Sequence, residues 1–410
     1  MLYRRFGRTN LQMPVFSCGG MRYQFKWQDL PLAEIPPDNQ ANLEASVRRA
    51  LELGINHIET ARGYGSSERQ LGVILPTLPR ERMIVQTKVA PTNDPAEFTK
   101  HVEESLQRLK LPYIDLLGIH GINDEETLAW TLGAKGNGCL AAARALQKRG
   151  LVRHVGFSTH GPTGIILDAI RHEQDGGFDY VNLHWYWIFQ KNWPAIAEAT
   201  RRDMGVFIIS PADKGGKLYD PPEKLVQLCA PWHPLVFNAL FCLSRPEVHT
   251  LSVGPARPSD FDLPLRALEH LSSGTDKSAA LRPDTDAALQ AIAQRLHAAY
   301  NAAVPADLRD PFALHLPDWP DAPGQMNIPV LLWLRNLVQA FDMQGYGEMR
   351  YNLLGNGGHW FPGLNAAEVE NLDLSSAGRA SGLGAERLRT LLKETHDLLG
   401  KSAVKRLSQS

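Results

Sequence analysis

Glu59, Tyr64, Lys88 and His120 are titratable side chains delivered at or just past the ends of three consecutive apolar segments, Ile55 to Gly65, Met83 to Lys88 and Tyr113 to His120. A phenol with a pKa of about 10 is a poor proton donor near neutrality, and a neighbouring ammonium lowers that value by stabilising phenolate. Lys88 is the candidate ammonium and Glu59 the carboxylate that keeps it charged and oriented. His120 is then placed to donate a hydrogen bond to the substrate oxygen that Tyr64 protonates. His57, Glu59 and His120 also admit a metal-hydrolase reading, because strand alternation puts His57 and Glu59 on one face. The Lys88 cation would repel such a metal and no further acidic cluster supplies charge, so no metal is expected. The plainer alternative is a structural Glu59–Lys88 ion pair with Tyr64 and His120 lining a wall.

Groups at the ends of successive strands need a parallel sheet behind them. Eight short apolar runs alternate with amphipathic segments: Val15 to Cys18, Ile55 to Glu59, Ile84 to Lys88, Asp115 to His120, His154 to Ser158, Tyr180 to His184, Val206 to Ser210 and Thr250 to Val253. Helical repeats separate them, among them Ala41 to Leu53, Pro95 to Leu109, Cys139 to Arg149 and Trp193 to Arg202. Eight such units predict a (β/α)8 barrel, whose catalytic groups collect at the strands' C-terminal rim. Gly136-Asn137-Gly138-Cys139-Leu140-Ala141 mimics a dinucleotide fingerprint. The segment before it, Glu125 to Leu132, is not a convincing strand, and no acidic residue ends a second strand about 20 residues later, so a loop and helix start are expected.

A barrel takes about 250 residues, and the chain has 410. The reading is therefore a barrel over 1–272 and a mainly helical appendage over 273–410. Ser272 to Ser278 reads as a polar linker, Thr285 to Asn301 as a helix, Pro305 to Pro329 as irregular, Val330 to Phe341 as a buried helix, Tyr346 to Pro362 as loop and Glu386 to Leu399 as a closing helix. The 43 basic and 44 acidic residues nearly cancel, which leaves no strong field for nucleic acid or a membrane surface. The opening Met1 to Arg8 lacks a signal-peptide core, so a cytoplasmic location is the default. Cys18, Cys139, Cys229 and Cys242 form no Cys-x-x-Cys pair and are expected to be buried free thiols.

The run Glu59-Thr60-Ala61-Arg62-Gly63-Tyr64-Gly65-Ser66-Ser67-Glu68 resembles the Asp-Thr-Ala-x-x-Tyr-Gly-x-x-Glu signature of aldo-keto reductases. Tyr3 to Met21, Arg153 to Ser158, Asp179 to Asn182, Ser210 to Leu218 and Ser252 to Asp260 resemble that family's later motifs in order. The resemblance implies NADPH lying across the barrel rim and a small-molecule carbonyl substrate. By the same mapping Ser158 and Asn182 would meet the nicotinamide amide, and Ser210, Lys214, Gly216 and Leu218 would cover the pyrophosphate. Gly254 and Arg257 would lie on the nucleotide-phosphate loop, with Arg257 at the 2'-phosphate. Trp27, Trp185, Tyr186 and Trp187 are expected to shape an apolar mouth.

Glu59 departs from the family's aspartate by one methylene, and a displacement of about 1 Å in a catalytic array costs on the order of a hundredfold. Residues 285–399 resemble the appendage of a branch carrying ferredoxin-like iron-sulfur clusters, through Pro323 to Pro329 and Met349 to Asn352. Clusters are held mainly by cysteine, and the last cysteine here is Cys242, so a degenerate appendage without a cluster is expected. The competing reading is an NADPH-binding redox sensor with little turnover, its C-terminal region open to a protein partner or self-association.

Overall fold

The computed structural model describes residues 1–134, 136–212, 216–273, 279–354, 363 and 366–401. Eight parallel strands close into a barrel: β1 Phe16–Gly19, β2 His57–Glu59, β3 Ile84–Val89, β4 Ile114–His120, β5 Val152–Ser158, β6 Tyr180–Leu183, β7 Gly205–Ile208 and β8 Thr250–Val253. Closure runs through Leu251 with Phe16, Ser252 with Ser17 and Val253 with Cys18. Every residue of β3 is buried, as expected of a parallel strand covered on both faces. An antiparallel hairpin of Tyr3–Arg5 and Gln12–Pro14 precedes the barrel. Its Phe6 is fully buried and packs on Tyr180 at 5.7 Å and His249 at 5.6 Å between ring centroids, plugging the end away from the strands' C-termini.

Helices α1 Pro37–Glu52, α2 Ser67–Ile74 and α3 Pro95–Leu109 follow the first three strands. The α3 boundaries are written in the sequence. Asp94 caps it by accepting from the Ala96 N–H at 2.9 Å, Pro95 occupies the first turn, and Lys110 ends it in the left-handed region. Phe98, Val102, Leu106 and Leu109 form its buried stripe.

The barrel interior is polar at one level. Thr250 Oγ1 lies 2.6 Å from Ser17 Oγ, which lies 2.6 Å from His57 Nδ1. His57 Nε2 lies 3.0 Å from Gln86 Oε1, and Gln86 Nε2 donates to the Tyr180 hydroxyl at 3.4 Å. All five residues are buried, and buried polar groups are stable only when paired. Because Gln86 Oε1 can only accept, His57 carries its proton on Nε2 and accepts at Nδ1 from Ser17. Burial, reinforced by the charge of Lys88, pushes His57 down to about 3 from its ordinary 6.5. Between those values the unfolded chain binds a proton that the folded one refuses, so this stabilising contribution is present above pH 6.5 and is lost as pH falls. Urea midpoints are expected to fall on acidification through this window, with a shallower fall in His57→Gln. Equal slopes would show that His57 is not the group responsible.

By internal contacts the chain divides into two units, Met1–Gly216 with Leu235–Asp286, and Lys217–Pro234 with the chain from Ala287. By these contacts the second unit takes in Lys217–Pro234 as well as the chain from Ala287. Strands Leu271–Ser273 and Ala279–Leu281 pair on either side of the segment read as a linker, of which 274–278 lies outside the described residues. The second unit is helical, with Ile328–Phe341 buried on most of its surface and Ala385–Leu399 packed by Leu388, Leu391, Leu392 and Leu399. Gln344–Tyr351 is a helix where a loop was expected, because Tyr346, Met349 and Tyr351 turn inward. The later part of that expected loop, 355–362, lies outside the described residues. Among the described residues no single helix is long and apolar enough to cross a membrane. All four cysteines are free and buried.

Candidate active site

Beyond Glu59 the chain continues alongside β3, with Thr60 N donating to Gln86 O and Arg62 N to Lys88 O, both at 2.9 Å. It then turns so that Tyr64 N meets Ala61 O at 3.0 Å. Gly65 takes a left-handed conformation with φ +53° while its Cα abuts the Lys26 carbonyl, a place no Cβ fits. Glu68 anchors the turn from beneath: it accepts from Thr87 Oγ1 at 2.6 Å and lies 3.6 Å from the Arg108 guanidinium. Tyr64 is thereby carried back over the strand ends.

The four residues singled out by type and spacing meet here. Lys88 Nζ forms an ion pair with Glu59 Oε1, donates to Thr60 O at 2.8 Å and stands 4.7 Å from the Tyr64 ring centroid. The Tyr64 ring meets His120 at 5.7 Å and 84°, and Trp27 at 5.9 Å and 87°. Gly118 makes room for the lysine stem, since a Cβ there would lie 2.9 Å from Lys88 Cγ. Glu59 and Lys88 are 3% and 1% exposed.

Burial pushes the Lys88 ammonium well below its usual value, against which the Glu59 carboxylate holds the proton in place. Burial also pushes the Tyr64 phenol up. Burial thus outweighs, in the resting arrangement, the lowering of Tyr64 expected from Lys88. Lys88 makes no hydrogen bond to the phenol oxygen, and Glu59 offsets its charge.

The extra methylene of Glu59 has a visible accommodation. A Cβ on Gly19 would lie 2.6 Å from Ser252 Oγ and 3.2 Å from Glu59 Oε2, so the missing side chain leaves room for both Ser252 and the longer carboxylate. Gly19→Ala is expected to cost about 1–3 kcal/mol by overpacking and to lower turnover by about ten- to a hundredfold through displacement of the carboxylate. Adding Glu59→Asp should restore part of the stability. Urea midpoints that do not move in Gly19→Ala would refute this accommodation.

The residues mapped to a nicotinamide cofactor divide into several groups. Ser158 ends β5, and its Oγ accepts from Gly121 N at 3.3 Å. Asn182 on β6 is fully buried, and neither its Nδ2 nor its Oδ1 is paired among the described residues. Leaving both ends of an amide buried and unmade is costly, and a carboxamide presents the complementary donor and acceptor, so the site's chemistry fits nicotinamide. Ser210 and Gly216, on the loop after β7, have φ of +58° and +77°. Gly254 and Arg257 follow β8. Arg257 is 74% exposed in its side chain, with Nε 3.3 Å from Asp260 Oδ1. Leu218 is buried in the turn Lys217–Tyr219 of the second unit. Lys214 lies outside the described residues.

Of the proposed mouth aromatics, Trp27 meets the Tyr64 ring edge to face. Trp185 packs between Trp193 and Phe241 at 5.2 and 4.8 Å, and Trp187 packs on Phe237 and Phe241 at 5.5 and 5.4 Å, because the helix Pro234–Leu243 presents phenylalanines to them. His57 is engaged in the interior chain, and no group of three metal-ligating side chains occurs among the described residues. The glycine run at Gly136 joins the helices Glu125–Leu132 and Cys139–Lys148, so no strand leads into it.

Sequence reasoning overlooked Thr60, whose carbonyl receives Lys88, and Gly19. It also overlooked a stacked histidine pair on the rim, His160 Nδ1 to His184 Nε2 at 2.7 Å, with His184 Nδ1 3.1 Å from Ile209 O. A polar residue two positions beyond each inward strand-end residue, His160 after Ser158 and His184 after Asn182, was the available signal.

The model of the aldo/keto reductase family matches residues 17–210. L-galactose dehydrogenase of Arabidopsis thaliana is 30% identical over 182 residues, covering 42% of this chain and 51% of that protein. L-glyceraldehyde 3-phosphate reductase of Escherichia coli is 26% identical over 178 residues, covering 40% and 46%. The chain spans about half the length of these curated relatives. The holo form of aldo-keto reductase AKR11C1 from Bacillus halodurans superposes with a TM-score of 0.56 at 19% identity, over 71% of this chain and 96% of that one. That likeness is one of fold.

Proposed function

We propose, from the match of the aldo/keto reductase family model to residues 17–210, that the protein reduces an aldehyde or ketone to an alcohol with NADPH. The observation that carries this reading is the convergence of Tyr64, Lys88, Glu59 and His120 at the rim that also bears the buried, unpaired amide of Asn182. NADPH, when bound, supplies the hydride. Ser158 and Asn182 hold its carboxamide, the loop carrying Ser210, Lys214 and Gly216 together with Gly254 receives the pyrophosphate, and Arg257 pairs with the 2'-phosphate.

The chain's own residues handle the proton. Tyr64, raised by burial, is protonated throughout the neutral range and so begins the reaction as the acid. As negative charge grows on the carbonyl oxygen, the Tyr64 hydroxyl gives up its proton, His120 orients that oxygen, and Lys88 stabilises the phenolate left behind. Glu59 and Thr60 O keep Lys88 charged and directed.

Purified protein is expected to bind NADPH, detected by its fluorescence, and to consume it with members of a panel of aldehydes, ketones and quinones. Binding without consumption on any of them would replace this reading with that of a cofactor-binding protein of little turnover.

A further inference from the structure

Arg22 lies on the loop after β1, far in sequence from every residue mapped to the cofactor, yet its guanidinium reaches both glycine-bearing loops of the rim. Arg22 Nη1 donates to Gly254 O at 2.7 Å and lies 3.5 Å from Asp260 Oδ2. A Cβ on Gly216 would stand 2.9 Å from Arg22 Cζ and 3.0 Å from each of its Nη atoms, so the guanidinium lies against bare backbone there. A Cβ on Gly254 would stand 3.8 Å from Arg22 Cδ. The loops after β7 and β8 thus approach one another across a single cationic plane. With 24% of its side chain exposed, that plane is partly withdrawn from water.

Asp260 ties the arrangement together. It accepts from Ala256 N at 2.8 Å and from Arg257 Nε at 3.3 Å while facing Arg22. Two guanidinium groups therefore meet one carboxylate, the more exposed of them at the far edge and the more enclosed between the glycines.

We propose that Arg22 is a ligand of the dinucleotide's pyrophosphate, set between Gly216 and Gly254. Arg257 reads the 2'-phosphate. The inference rests on the nicotinamide-cofactor reading and extends it to a residue that reading did not include. A planar fork of donors matches phosphate oxygens two at a time, and a close backbone approach without side chains is what a bulky diphosphate needs. A pyrophosphate ligand acts on NADPH and NADH alike, because both carry that group. A 2'-phosphate ligand acts on NADPH alone.

The test is the Kd of the full-length protein for NADPH and for NADH, by fluorescence, in wild type, Arg22→Ala, Arg22→Gln and Arg257→Ala over a range of salt. Arg22→Gln keeps a donor for Gly254 O but removes the charge, and so preserves a simple tie between loops. Arg22→Ala and Arg22→Gln are expected to raise both Kd values by the same factor, about ten- to a hundredfold, the loss that goes with one charged hydrogen bond, and to flatten their salt dependence. Arg257→Ala should raise only the value for NADPH. Wild-type affinity or an unchanged salt slope in Arg22→Gln would overturn the proposal and leave the cofactor reading standing, as would a loss confined to NADPH. A wild-type protein that binds neither nucleotide would overturn both.

Discussion

Tyr64→Phe is expected to lower kcat for carbonyl reduction by about 100- to 10,000-fold, the range that a positioned general acid contributes, while NADPH binding stays as in the wild type. The substitution removes one oxygen and keeps the ring that meets His120, Trp27 and the Lys88 ammonium. No hydrogen bond from the phenol holds other described residues in place, so stability should hardly move. Parallel measurements of NADPH consumption, cofactor fluorescence and urea midpoint separate these effects. Equal turnover in wild type and variant would remove Tyr64 from the chemistry.

Lys88→Met should damage both fold and activity. It strips the counter-ion from a carboxylate that is 3% exposed and the donor from Thr60 O. Breaking a buried ion pair from one side costs about 3–5 kcal/mol, chiefly through the charge left uncompensated. Lys88→Met with Glu59→Gln removes that charge and should regain much of the stability without regaining turnover, because nothing then stabilises the phenolate. Urea midpoints of the single and double variants measure this coupling. A double variant no more stable than the single would mean that Glu59 is not charged in the folded protein.

The barrel was legible because buried parallel strands read as short, nearly continuous apolar runs, and β8 was placed to the residue. Strand ends elsewhere shifted by one or two positions, as where β6 stops at Leu183 before the expected His184. Gln344–Tyr351 was misread because Gly345 and Gly347 weaken helical propensity, while burial of Tyr346 and Tyr351 decides the outcome.

That Glu59, Tyr64, Lys88 and His120 would meet was legible from type and strand position, since a barrel brings all strand ends to one rim. What the sequence could not convey was distance within that rim. Whether Lys88 spends its charge on Glu59 or on Tyr64, and whether Gly19 makes space for a longer acid, depend on packing between segments that are remote in the chain. Arg22 was illegible for the same reason, its carbonyl partner lying 232 residues away.

The hydrogen-bonded row from Thr250 through Ser17, His57 and Gln86 to Tyr180 ties β8, β1, β2, β3 and β6 to one another from inside. Each link fixes which partner gives and which receives, so replacing one member leaves the polar atoms on either side of it buried without that partner. The interior beneath Lys88 can change as a set, or scarcely at all. Random substitution should therefore find this layer nearly closed, with second-site revertants drawn from the same five positions.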